Sequence, residues 1–330
     1  MNESTGLTGM PKLVNLMGSE VNKMKWKILK ALRESGDYVS GQVLSKELGI
    51  SRVSIWKHIR SLKEDGYVIE TSARGYRLIS SPDLLFPCEF PGWEQKIHHF
   101  WQTNSTMDVA KALAQKGAEG GTIVIAECQT HGRGRLGRGW FSPKGGIYLT
   151  LILKPEISPA YAPRINLMAS IAVARAIRDL FGLKAELKWP NDVLIKGKKV
   201  CGILAEMEAE TDVVNFVNVG IGINANTSVS QYEKRATSLK EELGKEVSRK
   251  EFLNSVLREI NRQQVLLTKG DLLEEWRDLS ATLGRDVRII APGGEIRGQA
   301  IDIDTNGALI LKADDGSLNT AIAGDCIHLS

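Results

Sequence analysis

Gly132 to Trp140 reads GRGRLGRGW, four glycines and three arginines in nine residues. Glycines let a backbone fold closely over a ligand. Arg133, Arg135 and Arg138 supply fixed cations suited to phosphates or a carboxylate. The spacing Gly132-x-Gly134-x-x-Gly137 also imitates a dinucleotide-binding fingerprint, with Glu156 placed as the ribose acid. That fingerprint needs a helix starting in the glycines. Here Pro143 and Gly145-Gly146 follow, which cannot start one, and no G-K-[ST] completes a phosphate loop. The expectation is a loop that is mobile when empty and ordered by an anionic ligand.

A second cluster is Lys188 to Asp192, KWPND, followed by Lys199 and Gly202-Ile203-Leu204. Lys199 sits just before an apolar strand, where a partly buried ammonium needs an anion. Asp192 is a candidate to accept a proton or to orient an amine. It is equally readable as a structural aspartate in the turn after Pro190. Further on, NFVNVGIGINAN is a strand ending in Gly220-x-Gly222 and Asn224.

These groups need a scaffold, and 330 residues are enough for two or three domains. Hydrophobic residues at 42% and charged residues at 25% are ordinary for a globular chain and exclude a mainly disordered or collagen-like one. Apolar stretches such as Ile147 to Leu153 fall short of the roughly 20 residues that span a bilayer, so no membrane partner is expected. The first residues lack a basic start and an apolar core, so no signal peptide is expected. Cys88, Cys128, Cys201 and Cys326 have no metal-ligand spacing and read as reduced thiols.

The net charge of +4 is concentrated. Residues 21–80 hold 12 Lys/Arg against 6 Asp/Glu, and the remainder is near neutral. A basic module on a neutral body suggests a polyanion partner for that module alone. In it, Ile28, Leu29 and Leu32 fall at helical spacing. Ser40 caps a second helix with Val43, Leu44 and Leu48 as its buried stripe and Gly49 as its stop. Ser51 caps a third, with Ile55, Ile59 and Leu62 inward and Gly66 at its end. A hairpin around Ser72-Ala73-Arg74-Gly75 follows. This predicts a winged helix-turn-helix. Its outward DNA-reading set is Arg52, Ser54, Trp56, Lys57 and Arg60, with Arg74 at the wing tip.

Residues 80–96, with three prolines, read as a linker or strand-poor entry. Strand and helix patterns then alternate as a mixed α/β layer. Ser105 or Thr106 caps the helix STMDVAKALAQKG. From Leu283, short strands separated by P-G-G, T-N-G and D-D-G turns predict a small β-barrel. The fold class is therefore α+β multidomain. Its parts are a tail (1–20), a winged helix (21–80), a catalytic α/β domain (81–280) and a C-terminal barrel (281–330).

GRGRLGRGWFSP, KWPNDV, KKVCGILAE, VGIGIN and ISRVSIWKHIRSLKEDG occur in the order found in bifunctional biotin–protein ligases and biotin operon repressors. From about residue 21 to 330 the chain resembles that family. The resemblance implies a ligase domain related to class II aminoacyl-tRNA synthetases and an SH3-like barrel at the end. It implies biotin and adenylate contacts at Ser105, Thr106, Gln129, Arg133, Gly134, Arg135 and Lys199. Trp140 would pack near the adenine, with Asn191, Asp192 and Asn224 on the nucleotide side. Met107, Arg138, Gly202, Ile203 and Gly222 complete the expected lining. The family commonly has Asn where this chain has Met107, and a thioether cannot replace an amide hydrogen bond.

The implied reaction joins biotin and ATP as biotinyl-5′-AMP, releasing pyrophosphate. The acyl group then passes to a lysine of a biotin carboxyl carrier domain. The first step needs no base, because a carboxylate is already ionised near neutrality. Its difficulty is an anion attacking a polyanion, which Arg133, Arg135, Lys199 and Mg²⁺ would relieve. The metal is expected to have no direct protein ligand. The resemblance further implies operator DNA as a partner and an adenylate-dependent homodimer in the cytoplasm. Three alternatives stay open on sequence grounds: a sensor that has lost ligase activity, a winged-helix redox repressor, and a lipoate ligase.

Overall fold

The computed structural model describes residues 20–210, 213–267, 271–291 and 294–329. The expected tail before Glu20 and the Pro292-Gly293 turn lie outside them. The chain divides into two compact units, one ending at Thr103 and one starting at Asn104. Residues 81–103 therefore fall in the first.

In the first unit, α1 (Glu20–Ser35), α2 (Gly41–Leu48) and α3 (Arg52–Glu64) precede a hairpin of β1 (Val68–Ser72) and β2 (Gly75–Ser80). The Ser40 hydroxyl accepts the Val43 N–H, and Gly49 ends α2 in the left-handed region. Ser51 caps α3 in the same way through Ser54. These caps satisfy helix-end donors that water would otherwise have to reach. Ile28, Leu29, Leu32, Leu44, Ile55, Ile59 and Leu62 form one core with Tyr67 and Ile69. Val43 departs from the expected stripe: it is 44% exposed, because α2 is two turns long and only Leu44 is fully inward.

The proline-rich segment is packed rather than loose. Leu85 and Phe90 are fully buried. The buried Glu89 carboxylate takes an ion pair from Arg33 at 2.7 Å and a short hydrogen bond from the Tyr67 hydroxyl. β3 (Ile97–Phe100) ends the unit's regular structure.

The second unit has α4 (Thr106–Gln115), β4 (Ile123–Ala126), β5 (Ile147–Leu153), α5 (Ala162–Phe181), β6 (Ala185–Lys188), β7 (Asp192–Ile195), β8 (Lys198–Glu210) and β9 (Val213–Ile223). Its six strands lie in the order β4-β5-β9-β8-β7-β6, and each neighbouring pair is antiparallel. No helix starts in the glycine loop: Arg135–Gly137 is a single short turn and β5 follows, which removes the dinucleotide-binding alternative. All seven residues of β5 are buried, and twelve residues of α5 are. Between Ala225 and Thr282, where no motif had suggested an element, lie α6 (Leu239–Leu243), α7 (Arg249–Leu266) and α8 (Asp271–Leu279).

The C-terminal strands are β10 (Asp286–Ala291), β11 (Gly294–Ile303), β12 (Leu309–Lys312), β13 (Leu318–Ala321) and β14 (Asp325–His328). They form a five-stranded antiparallel sheet ordered β13-β12-β11-β10-β14. Val287, Ile289, Ala300, Leu309 and Leu311 fill its inner side. The four cysteines are free. Burial pushes the Cys88 and Cys326 thiols up to about 11, which leaves them unreactive near neutrality. Among the described residues no helix is long and apolar enough to cross a membrane.

Candidate functional site

The second unit carries a cleft of about 860 Å³. Every expected ligand contact from Ser105 to Asn224 lines it, although the motifs are far apart in the chain. One end is a chain of hydrogen bonds with a single direction. Thr150 donates to Thr106 at 2.9 Å, and Thr106 donates to Gln129 Oε1 at 3.2 Å. Gln129 Nε2 donates to Ser142 at 2.9 Å, and Ser142 donates to the Trp140 carbonyl at 2.9 Å. The Thr106 N–H also reaches Gln129 Oε1, at 2.8 Å. Each hydroxyl hydrogen is thereby committed, so the Gln129 amide is held in one orientation. Ser105 caps α4 through the Met107 N–H. Thr150 and Ser142 were not legible as site residues, because nothing in their local sequence distinguishes them from other strand and loop hydroxyls.

The floor is built from glycines. Gly202 of β8 and Gly222 of β9 are cross-strand partners. The Trp140 indole lies on them: an added Cβ would come within 2.9 Å of its ring at Gly202 and 2.5 Å of its Nε1 at Gly222. Two residues on, a Cβ at Gly220 would be 2.6 Å from the Met107 sulfur. The thioether is thus buried against bare backbone, where it fills space rather than replacing an amide. Trp140 Nε1 is buried and has no hydrogen-bond partner among the described residues.

The glycine-arginine loop is a small closed hairpin. Gly134 N–H donates to the Arg138 carbonyl at 2.7 Å, and Trp140 N–H to the Gly132 carbonyl at 2.8 Å. Its tip turns through Leu136 and Gly137, both at positive φ. The three arginines do not repel one another unopposed. Arg133 bonds Asp108 of α4 at 2.8 Å and, by a short contact, Glu206 of β8. Arg138 bonds Asp325 at 2.6 Å. Arg135 donates to Asn191 Oδ1 at 3.3 Å and to the Gly324 carbonyl at 3.1 Å. Burial pulls the Arg135 guanidinium below its usual range, and nearby Asp325 and Asp192 oppose that pull. None of Asp108, Glu206 and Asp325 was marked by the sequence reading, since their partners are far away in the chain.

Lys199 finds its anion in Asp192, at 2.6 Å. Its ammonium also stands 5.2 Å from the Trp140 ring centre. The register places Asp192 opposite Gly202 at the start of β7. Asn191 and Asn224 are buried and committed to backbone carbonyls, of Ile203 and Thr237 respectively. The arrangement can seat an elongated ligand with a polar head at the Thr106–Gln129 end, an anion near Lys199 and a flat ring near Trp140.

In the first unit, Arg52, Trp56, Lys57, Arg60 and Arg74 are exposed and Ser54 is half-buried beneath its hydroxyl contact with Ser51. They occupy one helix and one hairpin tip, as a groove-reading surface requires.

Residues 100–224 match the biotin/lipoate A/B protein ligase family, 26–77 an HTH domain, and 282–329 the biotin protein ligase C terminal domain. The bifunctional ligase/repressor BirA of Bacillus subtilis is 36% identical over 295 residues, covering 85% of this chain and 91% of that protein. Its Escherichia coli counterpart is 32% identical over 298 residues, covering 87% and 92%. The biotin protein ligase of Aquifex aeolicus, solved in complex with biotin and ATP, superposes with a TM-score of 0.61 at 29% identity. It covers 71% of this chain and 98% of its own.

Proposed function

The chain belongs to the family of bifunctional biotin–protein ligases and repressors, and from that premise we propose how its parts divide the work. It is a biotin–[acetyl-CoA-carboxylase] ligase that uses biotin and ATP, joined to a DNA-binding repressor module. Residues 21–80 grip operator DNA, 81–280 carry the ligase chemistry and 281–330 close the cleft from the C-terminal side. The observation that carries the site assignment is the convergence of all the motif-borne groups on one cleft.

Biotin enters with its ureido ring at the Thr106–Gln129 end, where directional donors and acceptors match a cyclic urea. Met107 packs on the ring beside Gly220. The valeryl carboxylate points toward Lys199, and the adenine toward Trp140, Asn224 and the Gly202–Gly222 floor. A carboxylate oxygen bonds the α-phosphorus of ATP. The bond to the bridging oxygen breaks, and its electron pair leaves with pyrophosphate. Lys199 and Arg135 stabilise the charge that develops there. Arg133 acts from behind: with its guanidinium between Asp108 and Glu206, it fixes the loop while the Gly134 backbone faces the ligand. In the second step the carrier lysine attacks the acyl carbon, AMP departs with the C–O electron pair, and Asp192 receives the amine proton.

Mg²⁺ would screen the phosphate charge. Phosphate oxygens and water would be its main ligands. The ligase partner is a biotin carboxyl carrier domain. Pairing of two adenylate-bound copies, through a sheet edge, would bring two recognition helices to a two-fold operator. The reading places the protein in the cytoplasm.

The test is incubation of the full chain with ATP, a carrier domain and either biotin, lipoic acid or NADH. Biotin alone should release pyrophosphate and add one biotinyl mass to the carrier. Release driven by lipoic acid, or tight NADH binding without adenylation, would overturn the assignment.

A further inference from the structure

Arg74 stands at the tip of the β1–β2 hairpin, but its partners come from the connection between α1 and α2. Val39 and Tyr76 exchange both backbone hydrogen bonds, at 2.9 Å each. A Cβ at Gly75, which lies at positive φ, would come within 2.1 Å of the Val39 carbonyl oxygen, so only glycine lets the two segments touch. This contact brings Arg74 to Asp37 and Tyr38. Its Nη2 donates to Asp37 Oδ2 at 2.8 Å, and its guanidinium stands 4.7 Å from the Tyr38 ring centre. Two other cations serve the wing. Arg77 lies opposite Glu70 in the hairpin register, and Lys63 of α3 donates to Thr71 at 2.9 Å. Glu70 in turn faces the Tyr38 hydroxyl. Charge around the wing is therefore nearly balanced, with Arg74, Arg77 and Lys63 against Asp37 and Glu70.

Arg74 is held twice, by a ring and by a carboxylate. The ring fixes the guanidinium without cancelling its charge. The carboxylate cancels it. A backbone hydrogen bond at Tyr38, then the charges of Arg74 and Arg77, hold the Asp37 carboxyl below the usual carboxylate range, so it is ionised wherever the wing meets DNA. A phosphate that takes Arg74 must displace Asp37 and then stand beside it. Arg60 of α3 also has a carboxylate, Glu64, and a ring, Trp56. Glu64 lies one turn along the same helix, where such a pair supports the helix itself. Asp37 belongs to no helix or strand and lies 37 positions from Arg74, so its charge bears on the wing and not on an element of its own.

We propose that Asp37 limits DNA affinity: its carboxylate neutralises the wing cation, so that the wing gains little from the phosphates of any one duplex and sequence-reading contacts of α3 carry the weight. This rests on the DNA-binding reading above. The opposite role for Asp37 is to orient Arg74 for a phosphate. The limiting role is favoured because the Tyr38 ring already orients Arg74 at no cost in charge, and both members of the ion pair are mostly exposed.

The experiment is a fluorescence-anisotropy titration of the full chain, with biotin and ATP present, across a salt series. One probe is an inverted-repeat biotin-operon duplex and the other a duplex of unrelated sequence. The variants are Asp37→Asn, Arg74→Met and their combination, with Asp37→Glu as a charge-retaining control and thermal melts to check folding. Asp37→Asn should tighten binding about three- to tenfold at about 50 mM salt and steepen the salt slope by up to about one. The gain should fall below about threefold at about 200 mM, where screening is stronger. It should be at least as large on the unrelated duplex, since phosphate contacts carry no sequence information. In the Arg74→Met background, Asp37→Asn should shift affinity less than about twofold, because no wing phosphate contact is left to gain. Unchanged or weaker binding by a normally folded Asp37→Asn protein would overturn the proposal, as would an equal gain without Arg74. If the parent binds neither duplex even at about 50 mM salt, the DNA-binding reading fails and takes the proposal with it. If the parent binds and Asp37→Asn binds alike, the proposal alone fails.

Discussion

Helix α3 of the first unit and the cleft of the second are both rich in cations, but they hold them differently. On α3, Arg60 pairs with Glu64 one turn on and stands over the Trp56 ring, and the Arg60 and Glu64 side chains are about two-thirds exposed. At the wing, Arg74 pairs with Asp37 in equally open surroundings. Such pairs contribute about 0–1 kcal/mol and dissolve readily in favour of another anion. In the cleft, Lys199 and Asp192 are mostly shielded from water, and Arg133 is gripped by two elements. The first arrangement suits a long polyanion that displaces counterions along its length. The second suits one small ligand that must arrive in one pose, because fixed charges need no reorganisation when the reaction occurs.

The largest contrast should be in salt dependence. With about four phosphates contacted, raising salt from about 50 to about 200 mM should weaken operator binding roughly a hundredfold. Biotin affinity over the same range should change less than about threefold, since charges inside the cleft are poorly screened. Parallel gel-shift and calorimetric series measure this, and equal slopes would erase the distinction.

Lys199→Ala sharpens it from the cleft side. Loss of a charge-assisted contact should weaken biotin roughly ten- to hundredfold by calorimetry. Lys57→Ala on α3 should instead weaken DNA binding uniformly and lower the salt slope by about one. A Lys199 variant with parental biotin affinity would reduce that residue to an ordinary strand-edge lysine.

A smaller effect concerns the loop. Free protein should be cut by trypsin after Arg133, Arg135 or Arg138, and biotin with ATP should protect those bonds. Asp325→Asn removes the Arg138 partner and should speed cleavage after Arg138 by up to about fivefold, in line with a partly exposed pair. Equal cleavage rates in the variant and the parent would mean that the backbone hairpin, not the ion pair, holds the loop.

The smallest is a pH effect at His328. Its folded value of about 4 lies below the ordinary 6.5, so between those limits the unfolded chain binds more protons. Its contribution to stability is complete above about pH 6.5 and is lost as pH falls toward 4. His328→Gln should flatten the melting temperature across that window relative to the parent. An unchanged slope would place the ring's environment closer to solvent than its burial suggests.

Much of this was legible in the residues themselves. Caps at Ser40, Ser51 and Ser105, apolar spacing in α1 and α3, and turn chemistry after Leu283 are local signals, decided within a few residues. α7 carried a readable signal too, with Ser248 as cap and Phe252, Val256 and Ile260 at helical spacing, although no motif drew attention to it. The family resemblance gathered the cleft lining, whereas residue type alone pointed only to the glycine-arginine loop, Lys199 and Asp192. What their charges pair with was not legible. Arg133 meets Asp108 and Glu206 across 25 and 73 positions, and Arg138 meets Asp325 across 187. Local sequence carries no mark of such pairs, since any surface carboxylate is an equally good partner until the fold selects one. The same holds for the Gly202–Gly222 floor, which depends on strand register. Residue type and local period determined the helices, the turns and the cationic loop, because those signals lie within a few residues; tertiary packing alone decided which distant carboxylate balances each cation.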